Sequence, residues 1–592
     1  MKTVIIALNS KYIHSALAPW YLKAYCGQEC GEIKVLEYTI NHSQDVVLAS
    51  IYRQKPDNAA FSCYIWNISH VLRIASDLKK IFPDTRIILG GPEVSFDGDR
   101  IMKNNPFVDY IINGEGENAF KLLLEHLCRL EKKMQNPDES KLAEIKGLVY
   151  RSKDRIVSNG CSALLEDLDL IPSPYSKEML SQFDGRIVYF ESSRGCPFSC
   201  SYCLSSTFSG VRYFSMDRVK NDLISLMDAG VKQIKFVDRT FNCNRERAKE
   251  IFRFIIDNDS PLNFHFEAAA DLFDDEMLDM LLACPEGRIQ FEIGIQSTNQ
   301  QALEAVNRKT DLQKVFHNVR RLIRMGNINI HLDLIAGLPF EGFDTFKKSF
   351  NDVYSLNAHQ LQLGFLKMLK GSEIRKRAIE HGYCFKNYPP YELLCNKYID
   401  YKGIMELKGI EEVLERYYNS LRFSSTLKYF IGRYYSSPFE FYYSFYNYHI
   451  HKGYLSRSIS AREQYAVLLD YLKTAVPEYE YTLLNELLKL DFLSSNNSNN
   501  LPEGIERDIF PGFKERCFEF LKSEDNISYY LPAFKGMPAK DIYKFVHFEL
   551  FKYDIAGGIK DGIFKKADTV MVFDYSSKSR VTGLYNFFSV SF

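Results

Sequence analysis

Strand-like and helix-like segments alternate twice along this chain, and this alternation constrains the fold more than any other feature. In the first alternation, five short apolar runs are separated by helical stretches, and they lie at 3–9, 32–39, 58–67, 86–92 and 109–116. Strands that alternate with helices favour a parallel sheet with helices on both faces. The sequence therefore predicts a doubly wound α/β domain over residues 1–135 and a polar connector over 136–181.

A second alternation begins near residue 182. Its six predicted strands lie at 186–192, 232–238, 263–269, 288–296, 329–337 and 360–368, and amphipathic helices such as 216–230 separate them. Six successive β/α units predict an open partial (β/α)6 barrel over residues 182–400. In barrels of this kind the functional site forms at the carboxyl ends of the strands.

Beyond residue 400 the chain is helical in pattern and strongly aromatic, above all at 433–454. A polar break at 494–500 predicts a surface loop, and 570–588 predicts two short strands around a turn. We expect a mainly helical, aromatic-rich C-terminal domain over 401–592. We find no motif that assigns chemistry to it. Several domains are expected in a chain of 592 residues, because single cores stop growing well below that size.

Composition excludes some classes of function. The net charge of −1 provides no global attraction to nucleic acid, which we therefore do not expect as a partner. No apolar run is long enough to span a bilayer, and the N-terminal residues MKTVIIALNSKYIHS do not resemble a signal peptide. We expect a cytoplasmic protein without membrane insertion. The 13 cysteines, an odd number, then favour reduced thiols or metal ligands over a disulfide framework.

Three of the cysteines are clustered, and they follow the first predicted barrel strand. Cys196, Cys200 and Cys203 lie within eight residues, so all three thiolates can face one metal centre. A closed zinc site or an ordinary electron-transfer cluster takes four protein ligands. The alternatives are therefore a zinc knuckle with a distant fourth ligand, or three cysteines that are close by coincidence. The other ten are interpreted as small buried or partly buried side chains: Cys26, Cys30, Cys63, Cys128, Cys161, Cys243, Cys284, Cys384, Cys395 and Cys517.

The Cys-x3-Cys-x2-Cys spacing, with Tyr202 directly before the last cysteine, resembles the signature of the radical S-adenosylmethionine (SAM) superfamily. The resemblance implies a [4Fe–4S] cluster on Cys196, Cys200 and Cys203, with one open iron that binds SAM. Reductive cleavage of SAM would then yield methionine and a 5′-deoxyadenosyl radical. It also implies an electron donor such as flavodoxin or ferredoxin.

Further residues along the barrel agree with this resemblance, which implies SAM contacts for them. Besides Tyr202, these residues are Asp238 for the amino group, Glu267, Glu292, Gln296 and Ser297 for the ribose and carboxylate, Arg308 for the carboxylate, and Gly337 in the turn against adenine. A guanidinium binds a carboxylate bidentately, which favours Arg308 in that role. Each of these charged groups has a structural ion pair or a helix cap as its alternative role.

The first domain, Rossmann-like in pattern, resembles the cobalamin-binding domain found in one branch of the same superfamily. The residues that carry this resemblance follow strands one, four and five: Asn9, Ser10 and His14; Gly90, Gly91 and Glu93; Gly114, Glu115 and Gly116. Glycines at strand ends let a flat ligand approach the backbone closely. The sequence departs from the best-known cobalamin pattern because no Asp-x-His-x-x-Gly is present. His14 is then either a cobalamin contact or a hydrogen-bonding loop residue.

Together these resemblances imply cobalamin-dependent radical methylation of an unactivated carbon, on an unidentified small-molecule or peptide substrate. One alternative is radical oxidation, cyclisation or rearrangement without methyl transfer. A second is a non-enzymatic iron–sulfur or cobalamin sensor. Cys384 and Cys395, after the barrel, are candidate hydrogen donors or auxiliary ligands, with structural thiols as the alternative. The sequence assigns no other catalytic residue.

Overall fold

A computed structural model describes residues 1–133, 139–153, 155–182, 185–207, 210–498 and 500–591. The predicted boundary between residues 135 and 136 lies outside the described residues. Three regions follow one another along the chain, and the predicted fold class is confirmed: an α/β domain, a partial barrel and a mainly helical, aromatic-rich region. Within the described residues, no helix combines the length and apolarity needed to cross a bilayer.

The N-terminal domain is a seven-stranded sheet of order β2-β1-β3-β4-β5-β6-β7, in which β1 to β5 are parallel and β6 and β7 are antiparallel. Its strands are β1 (Lys2–Asn9), β2 (Glu32–Thr39), β3 (Asn58–Ser62), β4 (Arg86–Gly90), β5 (Tyr110–Ile112), β6 (Leu148–Ser152) and β7 (Arg155–Ser158). Its helices are α1 (Leu17–Tyr25), α2 (Gln44–Gln54), α3 (Ile68–Ile81), α4 (Gly98–Asn104), α5 (Glu117–Lys133) and α6 (Glu139–Glu144). Strands β6 and β7 lie within residues 136–181, which the sequence predicted as a polar connector. They extend the sheet because β6 pairs antiparallel with the edge strand β5.

The central region is a six-stranded parallel sheet of order β15-β14-β13-β12-β11-β8. Its strands, with two short antiparallel ones after the first, are β8 (Ile187–Phe190), β9 (Ser193–Gly195), β10 (Val211–Tyr213), β11 (Gln233–Phe236), β12 (Asn263–Glu267), β13 (Ile289–Gln296), β14 (Asn329–Ala336) and β15 (Gln360–Phe365). The helices, beginning in the connector, are α7 (Lys177–Leu180), α8 (Met216–Asp228), α9 (Arg245–Asp257), α10 (Asp275–Leu282), α11 (Gln300–Ala305), α12 (Leu312–Met325), α13 (Phe343–Tyr354) and α14 (Glu373–Lys376). A small antiparallel pair, β16 (Cys384–Phe385) and β17 (Leu393–Cys395), follows the last barrel strand.

The C-terminal region packs against the barrel at several places. Its elements are α15 (Tyr401–Tyr417), α16 (Ser424–Tyr434), α17 (Pro438–His451), α18 (Glu463–Ala475), α19 (Tyr481–Ser495), α20 (Phe513–Lys522), α21 (Glu524–Tyr530), α22 (Ala539–Ile542), α23 (Ile555–Asp561), and an antiparallel sheet of β18 (Val546–Tyr553), β19 (Lys566–Lys578) and β20 (Tyr585–Val590). Helix α17 packs against α13, where Phe439 N donates to Asn351 Oδ1 at 2.9 Å. The Asn419 amide bonds both backbone groups of Leu361, at 2.8 and 3.0 Å, and so covers the edge of β15. The turn between β19 and β20 reaches the amino ends of the barrel strands, where Asn329 Nδ2 donates to Val581 O at 2.9 Å.

Candidate active site between two parallel sheets

The three clustered cysteines lie in the loop that leaves β8 at the carboxyl edge of the barrel sheet. Cys200 is buried, whereas Cys196 and Cys203 are partly exposed. Cys196 Sγ lies 3.4 Å from Thr240 Oγ1, and Ser205 N donates to Cys203 Sγ at 3.4 Å. Gly195, just before the first cysteine, has φ +103°, and a Cβ there would collide with Gly210 O across the β9–β10 pair. This position therefore needs glycine.

Asp238 holds the start of this loop. Its side chain is 1% exposed and accepts hydrogen bonds from Ser192 N at 3.0 Å, Ser192 Oγ at 2.6 Å and Ser193 Oγ at 2.5 Å. Burial raises the pKa of Asp238, and these donors act in the opposite direction. The resemblance implied a contact with the amino group of SAM, but the described contacts of this carboxylate are with the base of the cysteine loop.

Arg308 lies beside the cysteine loop. One guanidinium nitrogen is 3.3 Å from Tyr202 OH and 3.9 Å from Cys200 Sγ, and another donates to Gly294 O. Arg308 Nε is buried and has no hydrogen-bond partner among the described residues. Burial raises the pKa of the Cys200 thiol, and the nearby Arg308 charge counteracts this by favouring the thiolate.

Gln296 is the last residue of β13 and Ser297 follows it, and their side chains have different hydrogen-bond environments. Gln296 adopts φ +72°, and its buried Oε1 has no hydrogen-bond partner among the described residues. Ser297 is fully buried and donates to Glu341 Oε1 at 2.6 Å. Burial raises the pKa of Glu341 to about 7. Ser297 thus belongs to a buried hydrogen-bond network with Glu341, and the SAM contact that the resemblance implied for it stays a prediction.

The interior of the barrel is polar. Glu292 lies 2.9 Å from Lys235 Nζ and 3.0 Å from His265 Nε2. Burial opposes the ionisation of Glu292, but hydrogen bonds from His265 and Lys235 outweigh it and hold its pKa well below the ordinary value. Glu267, in register with Glu292 on β12, has no such partner, and burial raises its pKa to about 7. His331 and Asp333 form a further ion pair at 3.2 Å on β14.

Gly337 follows β14 in a turn with φ +94°. Its carbonyl oxygen accepts hydrogen bonds from Tyr383 OH at 3.2 Å and Asn396 Nδ2 at 3.0 Å. A Cβ at this position would overlap the side chain of Leu393. The turn is therefore covered by the β16–β17 pair.

A cavity of about 430 Å³ lies between the N-terminal sheet and the barrel mouth. Five of the predicted cobalamin contacts line one side of it: Gly90, Gly91, Gly114, Glu115 and Gly116. The opposite side includes Arg194, Gly195, Leu204 and Ser205, which adjoin Cys196 and Cys203 in the chain. Gly91 has φ +111°, and a Cβ there would lie 2.6 Å from Cys63 O. Strand-end glycines and the cysteine loop thus face one shared space.

The structure places the other predicted cobalamin contacts, Asn9, Ser10, His14 and Glu93, outside this cavity lining. His14 Nδ1 is 2.8 Å from the hydroxyl of Tyr189 on β8, and Asn9 Nδ2 donates to His14 O at 3.0 Å. Glu93 turns to the barrel, where Lys370 Nζ lies 2.9 Å away and Tyr391 OH donates to it. His14 and Glu93 therefore link the N-terminal domain to the barrel region, because Tyr189, Lys370 and Tyr391 all belong to that region.

Sequence reasoning missed a charged network that lines the cavity. Arg194 pairs with Glu117 at 2.6 Å, Glu191 at 3.0 Å and Glu115 at 3.6 Å, and so links both domains. Burial raises the pKa of Glu191 to about 7, although Arg194 opposes the shift. The available signal was the position of Arg194, two residues before Cys196.

Comparisons with known proteins agree with this geometry. Three family models match: a B12 binding domain over residues 3–124, the radical SAM superfamily over 190–353, and a protein domain of unknown function, DUF4080, over 379–573. The cobalamin-dependent radical SAM methyltransferase TokK of Streptomyces tokunonensis is 26% identical over 52% of this chain and 46% of its own length. The anaerobic magnesium-protoporphyrin IX monomethyl ester cyclase of Cereibacter sphaeroides is 23% identical over 59% of each chain. The chain thus spans about half the length of the methyltransferase it resembles.

Among solved structures, the cobalamin-dependent SAM radical enzyme OxsB, with aqua-cobalamin and SAM bound, superimposes with a TM-score of 0.57 at 15% identity, over 83% of this chain and 78% of that one. The matched domains imply a [4Fe–4S] cluster, SAM and cobalamin as cofactors. The residues present fit these groups, because three thiols converge on one loop and a glycine-lined cavity adjoins it. The chain therefore carries, in order, a match to the B12-binding domain, a match to the radical SAM superfamily and a match to a C-terminal domain of unknown function.

Proposed function

We propose that this protein is a cobalamin-dependent radical SAM methyltransferase that methylates an unactivated carbon of a small molecule or peptide. The observation that carries the proposal is the shared cavity, since its walls combine the glycines of the B12-binding domain with the neighbours of Cys196 and Cys203. When bound, the cluster, SAM and cobalamin supply the radical and methyl-transfer chemistry, with electrons from a donor such as flavodoxin or ferredoxin.

In this proposal Cys196, Cys200 and Cys203 hold the cluster. Asp238 positions the loop through Ser192 and Ser193, so it acts on the site through backbone placement. Arg308 keeps a positive charge beside Cys200, which favours the thiolate form that an iron ligand requires.

Three groups at the carboxyl ends of the barrel strands support a SAM site. The unpartnered Nε of Arg308 is a donor for a carboxylate, and the unpartnered Oε1 of Gln296 is an acceptor. Glu267 faces the same interior without a partner, whereas Glu292 is already held by Lys235 and His265.

On the cobalamin side, Gly90, Gly91, Gly114 and Gly116 present bare backbone to a flat ligand. The ion pairs of Arg194 with Glu115 and Glu117 hold the two walls of the cavity together.

The cluster assignment is tested by Cys200→Ala in anaerobically reconstituted protein. We expect loss of the visible absorbance of the cluster and of 5′-deoxyadenosine formation from SAM under strong reductant. Cys284→Ala is the matched control, because Cys284 is also buried but lies after α10, away from the loop. A Cys200→Ala protein that still cleaved SAM would contradict the assignment of Cys200 as a cluster ligand.

Product mass separates methylation from the second candidate reaction, which the cyclase relative brings forward. Methylation adds one CH₂ unit to the substrate, whereas oxidation or ring formation removes hydrogen or adds oxygen. The mass of the cofactor extracted from the purified protein tests cobalamin binding separately. Protein that takes up no cobalamin during reconstitution would contradict the methyl-transfer proposal while leaving SAM cleavage open.

A further inference from the structure

Two cysteines outside the cluster face each other across the β16–β17 pair. Cys384 is directly in register with Cys395 in this antiparallel ladder. Cys384 is exposed and Cys395 is partly exposed, so both thiols are within reach of small solutes. No other cysteines are paired across strands within the part of the chain that the structure describes.

The backbone geometry suits a covalent link between them. Directly opposed residues of an antiparallel pair have Cα atoms about 4.5–5.5 Å apart, which lies within the roughly 4.4–6.8 Å that disulfides span. The two thiols are also close enough to interact, because burial raises the pKa of Cys395 and the neighbouring Cys384 raises it further. Cys26 and Cys30 form a second close pair, but Cys30 is 0% exposed and closed to an external oxidant.

The residues next to the two thiols hold the turn that follows β14. Tyr383 precedes Cys384 and Asn396 follows Cys395, and both donate to the carbonyl oxygen of Gly337. Leu393, on the same strand as Cys395, fills the space that a side chain at position 337 would occupy. Any change in the spacing of the two strands is therefore passed to this turn.

We propose that Cys384 and Cys395 form a reversible dithiol–disulfide pair that a low-molecular-weight disulfide oxidises, and that the disulfide fixes β16 and β17 over the Gly337 turn. In the first step one thiolate attacks the small disulfide and releases one small thiol. In the second, the other thiolate attacks the mixed disulfide and releases a second small thiol. The protein loses two electrons and two protons, and the small disulfide gains them. The redox state of the two cysteines then sets the mobility of the Gly337 turn. Any effect of this turn on SAM binding rests on the proposed function, whereas formation of the disulfide is independent of it.

The test uses anaerobic reconstituted holoenzyme in buffers of reduced and oxidised glutathione. Free thiols are trapped with N-ethylmaleimide and the peptides are analysed by mass spectrometry. We expect a peptide pair joined through Cys384 and Cys395 in the oxidised buffer, fully reversed in the reduced one. Exposed Cys161 serves as the internal reference and should carry only glutathione. Detection of only separate glutathione adducts, or of two alkylated thiols, would overturn the proposal.

A second measurement tests the link to the turn. Hydrogen exchange of peptides that contain Gly337 should slow by about threefold or more in the oxidised protein, because fewer local openings remain available. Cys384→Ser should abolish both the disulfide and the slowing, while unchanged exchange in disulfide-bonded wild type would refute the mechanical coupling. The absorbance of the cluster is recorded on the same samples. A missing cluster would count against the proposed function, whereas a missing disulfide in protein with an intact cluster would count against the dithiol–disulfide proposal.

Discussion

The two parallel sheets of this molecule bury their strands in different ways. In the N-terminal sheet, β1 is buried at nearly every position, because helices cover both faces. In the barrel, β13 and β14 alternate strictly between buried and partly exposed residues. The N-terminal sheet meets the cavity through small or apolar strand residues such as Ile5, Ala60 and Ile88, together with its strand-end glycines. The barrel instead presents titratable side chains along its strands, among them Lys235, His265 and Glu292.

The N-terminal wall and the barrel wall of the candidate site therefore depend on different properties of the chain. The N-terminal wall depends on backbone conformation at a few glycines. The barrel wall depends on which polar side chains are paired and which remain free. Substitutions should therefore act through strain in the first wall and through electrostatics in the second.

The largest effect is expected for Gly91→Ala. Its left-handed φ and the approach of a Cβ to the Cys63 backbone should destabilise the fold by about 2–3 kcal/mol, measured by urea unfolding. Gly90→Ala is the matched control, because its φ is ordinary and the nearest atom to a new Cβ, Ile112 Cβ, is 4.0 Å away. We expect a change within about 1 kcal/mol there. Equal losses for both variants would break the assignment of strain to Gly91.

Glu267→Gln should stabilise the protein at pH 8 and have little effect near pH 4. Because burial raises the pKa of Glu267 from 4.5 to about 7, the folded state holds a proton that the unfolded state has lost. Its contribution is fully present below pH 4.5 and is lost as the pH rises to 7. The amide removes this loss, roughly 1–2 kcal/mol after allowance for solvent in the barrel, and unfolding measured across this pH range checks it.

Glu292→Gln, one strand away, should act in the opposite direction. The pKa of Glu292 is held low by His265 and Lys235, so its ionised form contributes stability above the ordinary pKa of 4.5 that is lost as the pH falls below it. We expect a loss of about 1–3 kcal/mol at pH 7, since Lys235 keeps its charge without a partner. The same sign for both substitutions would contradict the distinction between free and paired carboxyl groups.

The smallest effect is expected for His14→Ala. The His14 ring contacts Tyr189 and does not line the cavity, so the cobalamin content of the reconstituted protein should remain unchanged. Extraction and absorbance of the bound cofactor measure this, with Gly91→Ala as a comparison from inside the cavity. A loss of cobalamin in His14→Ala would restore the sequence-based assignment of His14 as a contact.

The periodicity of the sequence predicted the five parallel strands of the N-terminal sheet and the six barrel strands, but it missed β6 and β7, which lie in the predicted connector. Strand β2, for example, lies at the predicted 32–39, and β14 ends within one residue of the predicted position. Residue spacing also identified the cysteine loop, because Cys196, Cys200 and Cys203 are close in the chain as well as in space. Local patterns suffice where the interacting groups are sequence neighbours.

Only the tertiary structure decided which polar groups are free and which are already paired. Asp238, Ser297 and Glu93 all follow strand ends, as predicted, but each is bound to a partner from another segment: Ser192, Glu341 and Lys370, respectively. At the same edge of the barrel, Arg308 Nε has no hydrogen-bond partner among the described residues, and burial raises the pKa of Glu267 to about 7. Such pairings join residues tens to hundreds of positions apart and have no period along the chain. Periodicity and residue spacing predict the repeated strand pattern and the cysteine triad, while tertiary contacts between distant segments decide which side chains remain available for ligands.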